Sequence, residues 1–275
     1  MSKVILVTGA NRGIGLGIVR RLIARAPPRT RPEEVSPTNG ANGEGRGNHR
    51  PWTIIVACRT RQAAVDTIQK LNDEESQAGN TTLEPLEIEL DSDESIGNAR
   101  REVEEKFGRL DVLINNAGRV ERINEESSNV RAHYVDTFNT NVAGVLMIMN
   151  AFLPLLKQSI DSSPVNEVRI INVSSLTGSL DFAATTPFQL TDEIGYSVSK
   201  AALNRLTIEY AKLHPMVSFY CLCPGHCKTS INRYQGWKDP LDGAKVVEEF
   251  VAAEKGKYPF GFYALEDGKI VTYDW

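Results

Sequence analysis

Tyr196 and Lys200 stand four residues apart in Tyr196-Ser197-Val198-Ser199-Lys200, and Val173-Ser174-Ser175 closes an apolar run upstream of them. On a helix, a spacing of four puts the phenol and the ammonium on one face. A phenol of ordinary pKa, about 10, exchanges protons poorly at neutral pH until something favours its anion. A neighbouring ammonium does so. A serine hydroxyl such as that of Ser175, aimed at a substrate oxygen, would stabilise charge as it forms there. The three groups suit the reduction of a carbonyl, whose carbon takes a hydride and whose oxygen takes a proton. They also have ordinary uses, because Tyr/Lys pairs recur at helical spacing by chance and serines cap turns after strands.

A hydride source is suggested at the start of the sequence. Thr8-Gly9-Ala10-Asn11-Arg12-Gly13-Ile14-Gly15 follows the apolar run Val4-Ile5-Leu6-Val7 and opens a helical stretch. Such a strand, turn and helix start brings backbone N–H groups and the positive end of a helix dipole against a pyrophosphate. Gly9 permits the tight turn, while Gly13 and Gly15 allow close backbone approach. An NAD-specific site usually carries Asp or Glu after the second strand, for the ribose 2′-hydroxyl. Here the sequence reads Ala57-Cys58-Arg59-Thr60, with no acid. Arg59 can pair with a 2′-phosphate, and Arg12 can reach it from the glycine turn. The expected cofactor is NADP(H) in preference to NAD(H). Asn115-Asn116-Ala117-Gly118 falls between the glycine turn and the serine pair, completing an ordered set.

Apolar runs alternating with helical periodicity must position these groups, the pattern of a parallel sheet covered by helices. Strands are expected at 3–7, 53–57, 83–89, 111–114, 168–173 and 217–222, with a short last one at 261–264. A first helix is expected at 14–24. Val135, Phe138, Val142, Val145, Leu146, Met149, Phe152, Leu153 and Leu156 lie three and four apart, which predicts a long helix over 135–156 with one continuous apolar face. The fold class is therefore α/β, a Rossmann-type doubly wound parallel sheet forming a single domain over residues 1–275. Residues 27–50, rich in Pro and Gly, break the rhythm. They read as a flexible excursion between first helix and second strand, on the edge of the sheet opposite the ligand crevice.

Net charge −4 and a pI near 5.7 give no footprint for nucleic acid. No apolar run reaches the ~18 residues that span a bilayer, and no leader-like pattern precedes the first strand. The expectation is a cytoplasmic protein with neither a nucleic-acid nor a membrane partner. Cys221, Cys223 and Cys227 crowd together, but only Cys58 remains to complete a second ligand pair. Buried reduced thiols are expected, and no metal.

With these motifs in this order the chain resembles the short-chain dehydrogenase/reductase family, from about residue 3 to residue 229. The resemblance implies that Ser175, Tyr196 and Lys200 are catalytic, with Ser174 the lesser candidate of the serine pair. It implies that Asn141, in Asn139-Thr140-Asn141-Val142-Ala143-Gly144, holds a water for proton relay to the lysine. Cofactor contacts are implied for Gly9, Asn11, Arg12, Gly13, Ile14 and Gly15 in the turn, and for Arg59. They are implied equally for Asp91, Asn115, Ala117, Gly118, Tyr196, Lys200, Pro224, Gly225 and Thr229. The Arg12/Arg59 pairing is similar to NADPH-preferring carbonyl reductases of the family, which implies a small-molecule ketone, aldehyde or quinone as substrate. Two departures from the pattern are the 27–50 segment and a wide interval between Ser175 and Tyr196. Phe182, Phe188, Tyr234 and Trp237 are expected to wall the pocket, and His226 to pack or face solvent. Two other readings stay open, a non-catalytic NADP(H)-binding sensor or scaffold and an alcohol dehydrogenase working oxidatively. Homo-oligomerisation is also open, since the apolar face of the long helix is needed for packing on the sheet.

Overall fold

The computed structural model describes residues 2–26, 51–74, 81–122, 128–162, 168–187 and 193–275. The expected excursion at 27–50 lies outside the described residues, as does Phe188. Among the described residues, eight strands form one sheet: β1 (Lys3–Thr8), β2 (Trp52–Cys58), β3 (Thr81–Glu87), β4 (Val112–Asn115), β5 (Arg169–Val173), β6 (Ser218–Cys223), β7 (Gly261–Glu266) and β8 (Lys269–Tyr273). Their spatial order is β3-β2-β1-β4-β5-β6-β7-β8, parallel throughout except that β8 runs antiparallel to β7. β1 pairs with β2 on one side and β4 on the other, so the strand order reverses there. A crevice at the carboxyl ends of the strands follows from that reversal.

The continuous apolar runs are strands covered on both faces, with Ile5, Leu6, Ile54, Leu113 and Ile170 essentially without exposure. One face is packed by α1 (Gly13–Arg25) and α2 (Arg61–Glu74), through Ile18, Leu22 and Leu71. The other is packed by α3 (Asp93–Phe107) and by a long helical stretch. That stretch is α4 (Val130–Phe138), a π-helical turn over Asn139–Gly144, and α5 (Val145–Ser162). A short α6 (Leu180–Thr185) precedes α7 (Ile194–Leu213), which joins the second face through Leu203 and Tyr210. After β6, α8 (Pro240–Gly243) and α9 (Lys245–Ala252) return to the first face, with Val247 and Phe250 buried.

Three sequence expectations need correction. Val135 is 58% exposed and does not belong to the apolar face that packs on the sheet, which begins in earnest at Val145. The reason is local: α4 packs on α7, where Tyr134 covers Gly195, instead of on the strands. The third strand runs Thr81–Glu87, starting and ending two residues earlier than expected. The sequence also carries a strand that periodicity missed, β8, joined to β7 through Asp267 and Gly268, both at positive φ. Asp-Gly is the two-residue turn that closes a hairpin of this twist. The stretch from Val130 to Ser162 is long and apolar enough to cross a membrane by composition, yet 56% of its most apolar window is buried, as in a core helix.

Candidate active site

Thr8, at the carboxyl end of β1, joins the glycine turn to the segment after β4. Its hydroxyl accepts the N–H groups of Asn116 and Ala117, each at 3.0 Å, and donates to the Ile114 carbonyl at 3.3 Å. Asn116 completes the staple, its Nδ2 donating to the carbonyls of Thr8 at 2.9 Å and Gly9 at 3.3 Å. Gly9 sits at φ +64°, and a Cβ there would lie 3.0 Å from the Ala117 backbone. At Gly15 a Cβ would fall 2.1 Å from the Gly9 carbonyl oxygen, so only glycine lets α1 start this close to the turn. The first turn of α1 carries no acid, which leaves its N-terminal dipole unneutralised.

Around this turn, Asn11 and Arg12 are exposed. Cys58, at the end of β2, is buried, and burial pushes its thiol up to about 11. Arg59 is 73% exposed, and its Nε lies 2.9 Å from Glu89 Oε2. Asp91 accepts a hydrogen bond from the Thr140 hydroxyl at 2.8 Å. Asn115 is placed differently from its neighbours. Its side chain is buried, and its Nδ2 donates to Asn172 Oδ1 at 2.8 Å; Asn172 in turn donates to Thr207 Oγ1 at 2.8 Å. That side chain is a tie between β4, β5 and α7, and does not reach the crevice.

The serine pair divides its work. Ser174 Oγ is buried and donates to Asn204 Oδ1 at 2.6 Å, which fixes the end of β5 to α7. Ser175, in extended conformation, turns its hydroxyl to the cleft within 2.9 Å of Thr177 Oγ1. From α7, Tyr196 and Lys200 project on one face, as the spacing of four dictates. Lys200 is 4% exposed; its Nζ donates to the Val173 carbonyl at 2.8 Å and sits 5.5 Å from the centre of the Tyr196 ring. Burial pulls the Lys200 ammonium down to about 8. Burial, reinforced by the neighbouring Cys223 and the Glu193 carboxylate, raises the Tyr196 phenol above its ordinary value.

Asn141 lies in the π-helical turn, a geometry often found where a helix carries function. Its Oδ1 accepts the Arg119 N–H at 2.8 Å, and its Nδ2 donates to the Arg119 carbonyl at 2.8 Å and to Ser199 Oγ at 2.9 Å. Both amide protons are therefore used within the protein, leaving one lone pair on Oδ1. Gly118 separates Asn141 from Lys200: a Cβ there would meet Asn141 Oδ1 at 3.4 Å and Lys200 Nζ at 3.8 Å.

These groups border a cleft of about 930 Å³. Ile14, Gly118, Ser175, Tyr196, Lys200, Pro224, Gly225 and Thr229 all line it, whereas Gly9, Asn11, Arg12, Gly13, Gly15, Arg59, Asp91, Asn115, Ala117 and Asn141 do not. Phe182 and Trp237 line it as expected, while Tyr234 is 61% exposed and stands off it. His226 faces the cleft as well and packs edge-on against Trp237, with ring centres 4.6 Å apart. Cys223 also borders it, and Cys221 and Cys227 are buried thiols beside the end of β6. Glu193 and Ile231 line the cleft too, from two of the three loops, 119–129, 176–194 and 230–239, that the sequence places around it. Arg122 donates to Glu193 and, at 2.8 Å, to the Ile231 carbonyl, binding three segments of the wall together.

The crevice fits a phosphate-bearing dinucleotide on the evidence of its own atoms. Ile14, in the first turn of α1, lines it beside a turn with no room for a side chain at Gly15, and a helix start of this kind suits a phosphate. Thr229 Oγ1, also on the cleft wall, is buried without a hydrogen-bond partner among the described residues. A buried hydroxyl of that kind is costly unless a ligand completes it.

The sequence pattern of the short chain dehydrogenase family matches residues 49–239. A short-chain dehydrogenase of Penicillium roqueforti, anuI, is 30% identical over 277 residues, 98% of this chain and 97% of its own. Among solved structures, carbonyl reductase Sniffer of D. melanogaster is 26% identical with a TM-score of 0.73, over 100% of both chains. The NADPH-bound carbonyl reductase from chicken fatty liver is also 26% identical with a TM-score of 0.73, over 99% of each chain.

Proposed function

The chain belongs to the short-chain dehydrogenase/reductase family, and we propose that it is a carbonyl reductase that uses NADPH to reduce a ketone, aldehyde or quinone. The observation that carries this reading is the convergence of Ser175, Tyr196 and Lys200 on the cleft that Ile14, at the start of α1, also lines. A protein that only sensed or scaffolded a dinucleotide would have no use for a phenol and a buried ammonium placed together.

The bound nicotinamide supplies a hydride to the carbonyl carbon. Gly9, Asn11, Arg12, Gly13, Ile14 and Gly15 would hold the dinucleotide at the turn, with Arg59 and Asp91 at its adenosine end. Ala117, Gly118, Pro224, Gly225 and Thr229 would hold the nicotinamide end. Asn115 would contribute its backbone only, its side chain being committed to Asn172. The Ser175 hydroxyl donates to the substrate oxygen and stabilises charge developing there. The Tyr196 hydroxyl gives that oxygen its proton. The Lys200 ammonium favours the phenolate left behind, opposing the burial that raises the phenol. Lys200 also has protons free to bond ribose hydroxyls. Asn141 braces the Arg119 backbone against α7, and its remaining Oδ1 lone pair can hold the relay water.

NADPH over NADH is supported by Arg12 and Arg59 near the expected 2′-position, and by the NADPH of the chicken relative. Apolar side chains on the wall, Val120, Leu176, Phe182, Ile231 and Trp237, suit an apolar or aromatic carbonyl compound. Four unpaired thiols suit a reducing cytoplasm. The test is absorbance at 340 nm with NADPH and then NADH, across aromatic ketones, α-dicarbonyls, quinones and aldehydes. Oxidation of NADPH well ahead of NADH with at least one class is the expected result. Tight NADPH binding with no turnover across the panel would favour the sensing role instead.

A further inference from the structure

We infer that Arg122 is a positioning residue for the proton transfer, holding the Glu193 carboxylate, one helical turn ahead of Tyr196, fixed in place and compensated in charge. The inference rests on Tyr196 being the proton donor.

Glu193 is the N-cap residue of α7, yet its side chain makes no capping bond to that helix. Its backbone carbonyl serves the helix instead, accepting the Ser197 N–H at 3.1 Å. The residue lines the cleft, and its carboxylate is turned to Arg122, the cation paired with it among the described residues. The same guanidinium nitrogen, Nη2, donates to the Ile231 carbonyl at 2.8 Å. One nitrogen thus joins the segment after β4, the start of α7 and the loop after β6. The two side chains are 18% and 23% exposed, so water screens the pair only in part.

Three titratable groups neighbour Tyr196: Lys200, whose Nζ lies 5.5 Å from the ring centre, Cys223 and Glu193. Lys200 favours the anion of the phenol, and the Glu193 carboxylate opposes it. In the reduction, the carbonyl carbon takes a hydride from the nicotinamide and the π pair of the C=O bond moves onto oxygen. That oxygen then takes the proton of Tyr196, whose O–H pair stays behind as phenolate. Negative charge therefore grows first on the substrate oxygen and then on the tyrosine. A bare carboxylate one turn away would repel it at both stages, and a carboxylate paired with Arg122 does so far less.

The test follows NADPH oxidation at 340 nm in a single turnover, with the carbonyl substrate that the parent reduces fastest. Arg122→Gln removes the charge and keeps a donor in reach of the wall. Its rate should fall about tenfold, the equivalent of roughly one pKa unit of lost compensation. Adding Glu193→Gln removes the charge that needed compensating, and should bring the rate back up by about threefold or more. Arg122→Lys keeps the charge and should also lie about threefold or more above Arg122→Gln. A purely structural brace would leave the double variant no faster than Arg122→Gln, and that result would overturn the inference. So would an Arg122→Gln rate within about twofold of the parent. Tyr196→Phe, measured alongside, keeps the two readings apart. Turnover retained in Tyr196→Phe would sink the functional reading, whereas turnover lost there and kept in Arg122→Gln would sink this inference alone.

Discussion

Lys200 carries its charge where burial opposes it, and that conflict should be visible in the stability of the cofactor-free protein. In the folded state its ammonium titrates near 8, against 10.5 when unfolded. Between those values the unfolded chain binds more protons, so this group makes folding more favourable as pH rises, by about 3 kcal/mol over the whole window. The buried thiols act the other way. Cys58 is raised to about 11 and Cys221 and Cys227 to about 12, so each favours folding less as the unfolded thiols ionise above pH 9. The contribution of Lys200 is isolated by comparison with Lys200→Met. Urea midpoints at pH 8 and pH 10 should show the parent gaining on the variant with rising pH. A difference that stays constant would mean that Lys200 keeps its ordinary pKa in the fold. The residues of this site were legible in sequence where a motif follows the end of a strand, as Ser175 and Gly118 do. Asn116 was not legible in its role, because it acts through Thr8, more than 100 residues away.

At the scale of elements, α7 delivers both Tyr196 and Lys200, and its seat against the turn after β5 decides where they stand. Gly178 forms that seat: a Cβ there would lie 2.7 Å from the Lys200 carbonyl carbon and 2.8 Å from its Cβ. Backbone and a buried stem cannot yield as a flexible tip would, so Gly178→Ala should push α7 back. The expected cost is about 1–3 kcal/mol of stability, together with a drop in kcat. Gly97, in the middle of α3, is the contrasting case, since a Cβ there meets nothing within 4 Å. Gly97→Ala should stabilise by about 0.5–1 kcal/mol and leave turnover alone. Thermal midpoints of the two variants, taken side by side, check both statements. Apolar periodicity captured most elements because strands covered on both faces and helices with one buried stripe leave different patterns. It overreached at Val135, where helical spacing continues past the sheet onto α7. It missed β8, an edge strand whose residues alternate in burial only weakly; the Asp267-Gly268 turn was the available signal.

The whole molecule gathers its chemistry at the carboxyl ends of six parallel strands, on either side of the point where strand order reverses. A cofactor seated there would touch the glycine turn, the segment after β4, α7 and the loop after β6, and so join both halves of the sheet. Ligand binding to the folded state alone raises its stability by mass action. NADPH at one hundred times its dissociation constant should therefore stabilise the protein by about 2.7 kcal/mol, and NADH at the same concentration by less. Equal shifts would remove the case for cofactor preference. The central claim is that Tyr196 delivers the proton and is not merely packed beside the cofactor. Tyr196→Phe removes one oxygen and retains the ring over which Lys200 sits. Measured with the carbonyl substrate that the parent turns over fastest, kcat should fall at least about a thousandfold, within the range by which positioned acids accelerate proton transfer, with NADPH affinity nearly unchanged. Turnover within tenfold of the parent would contradict the account.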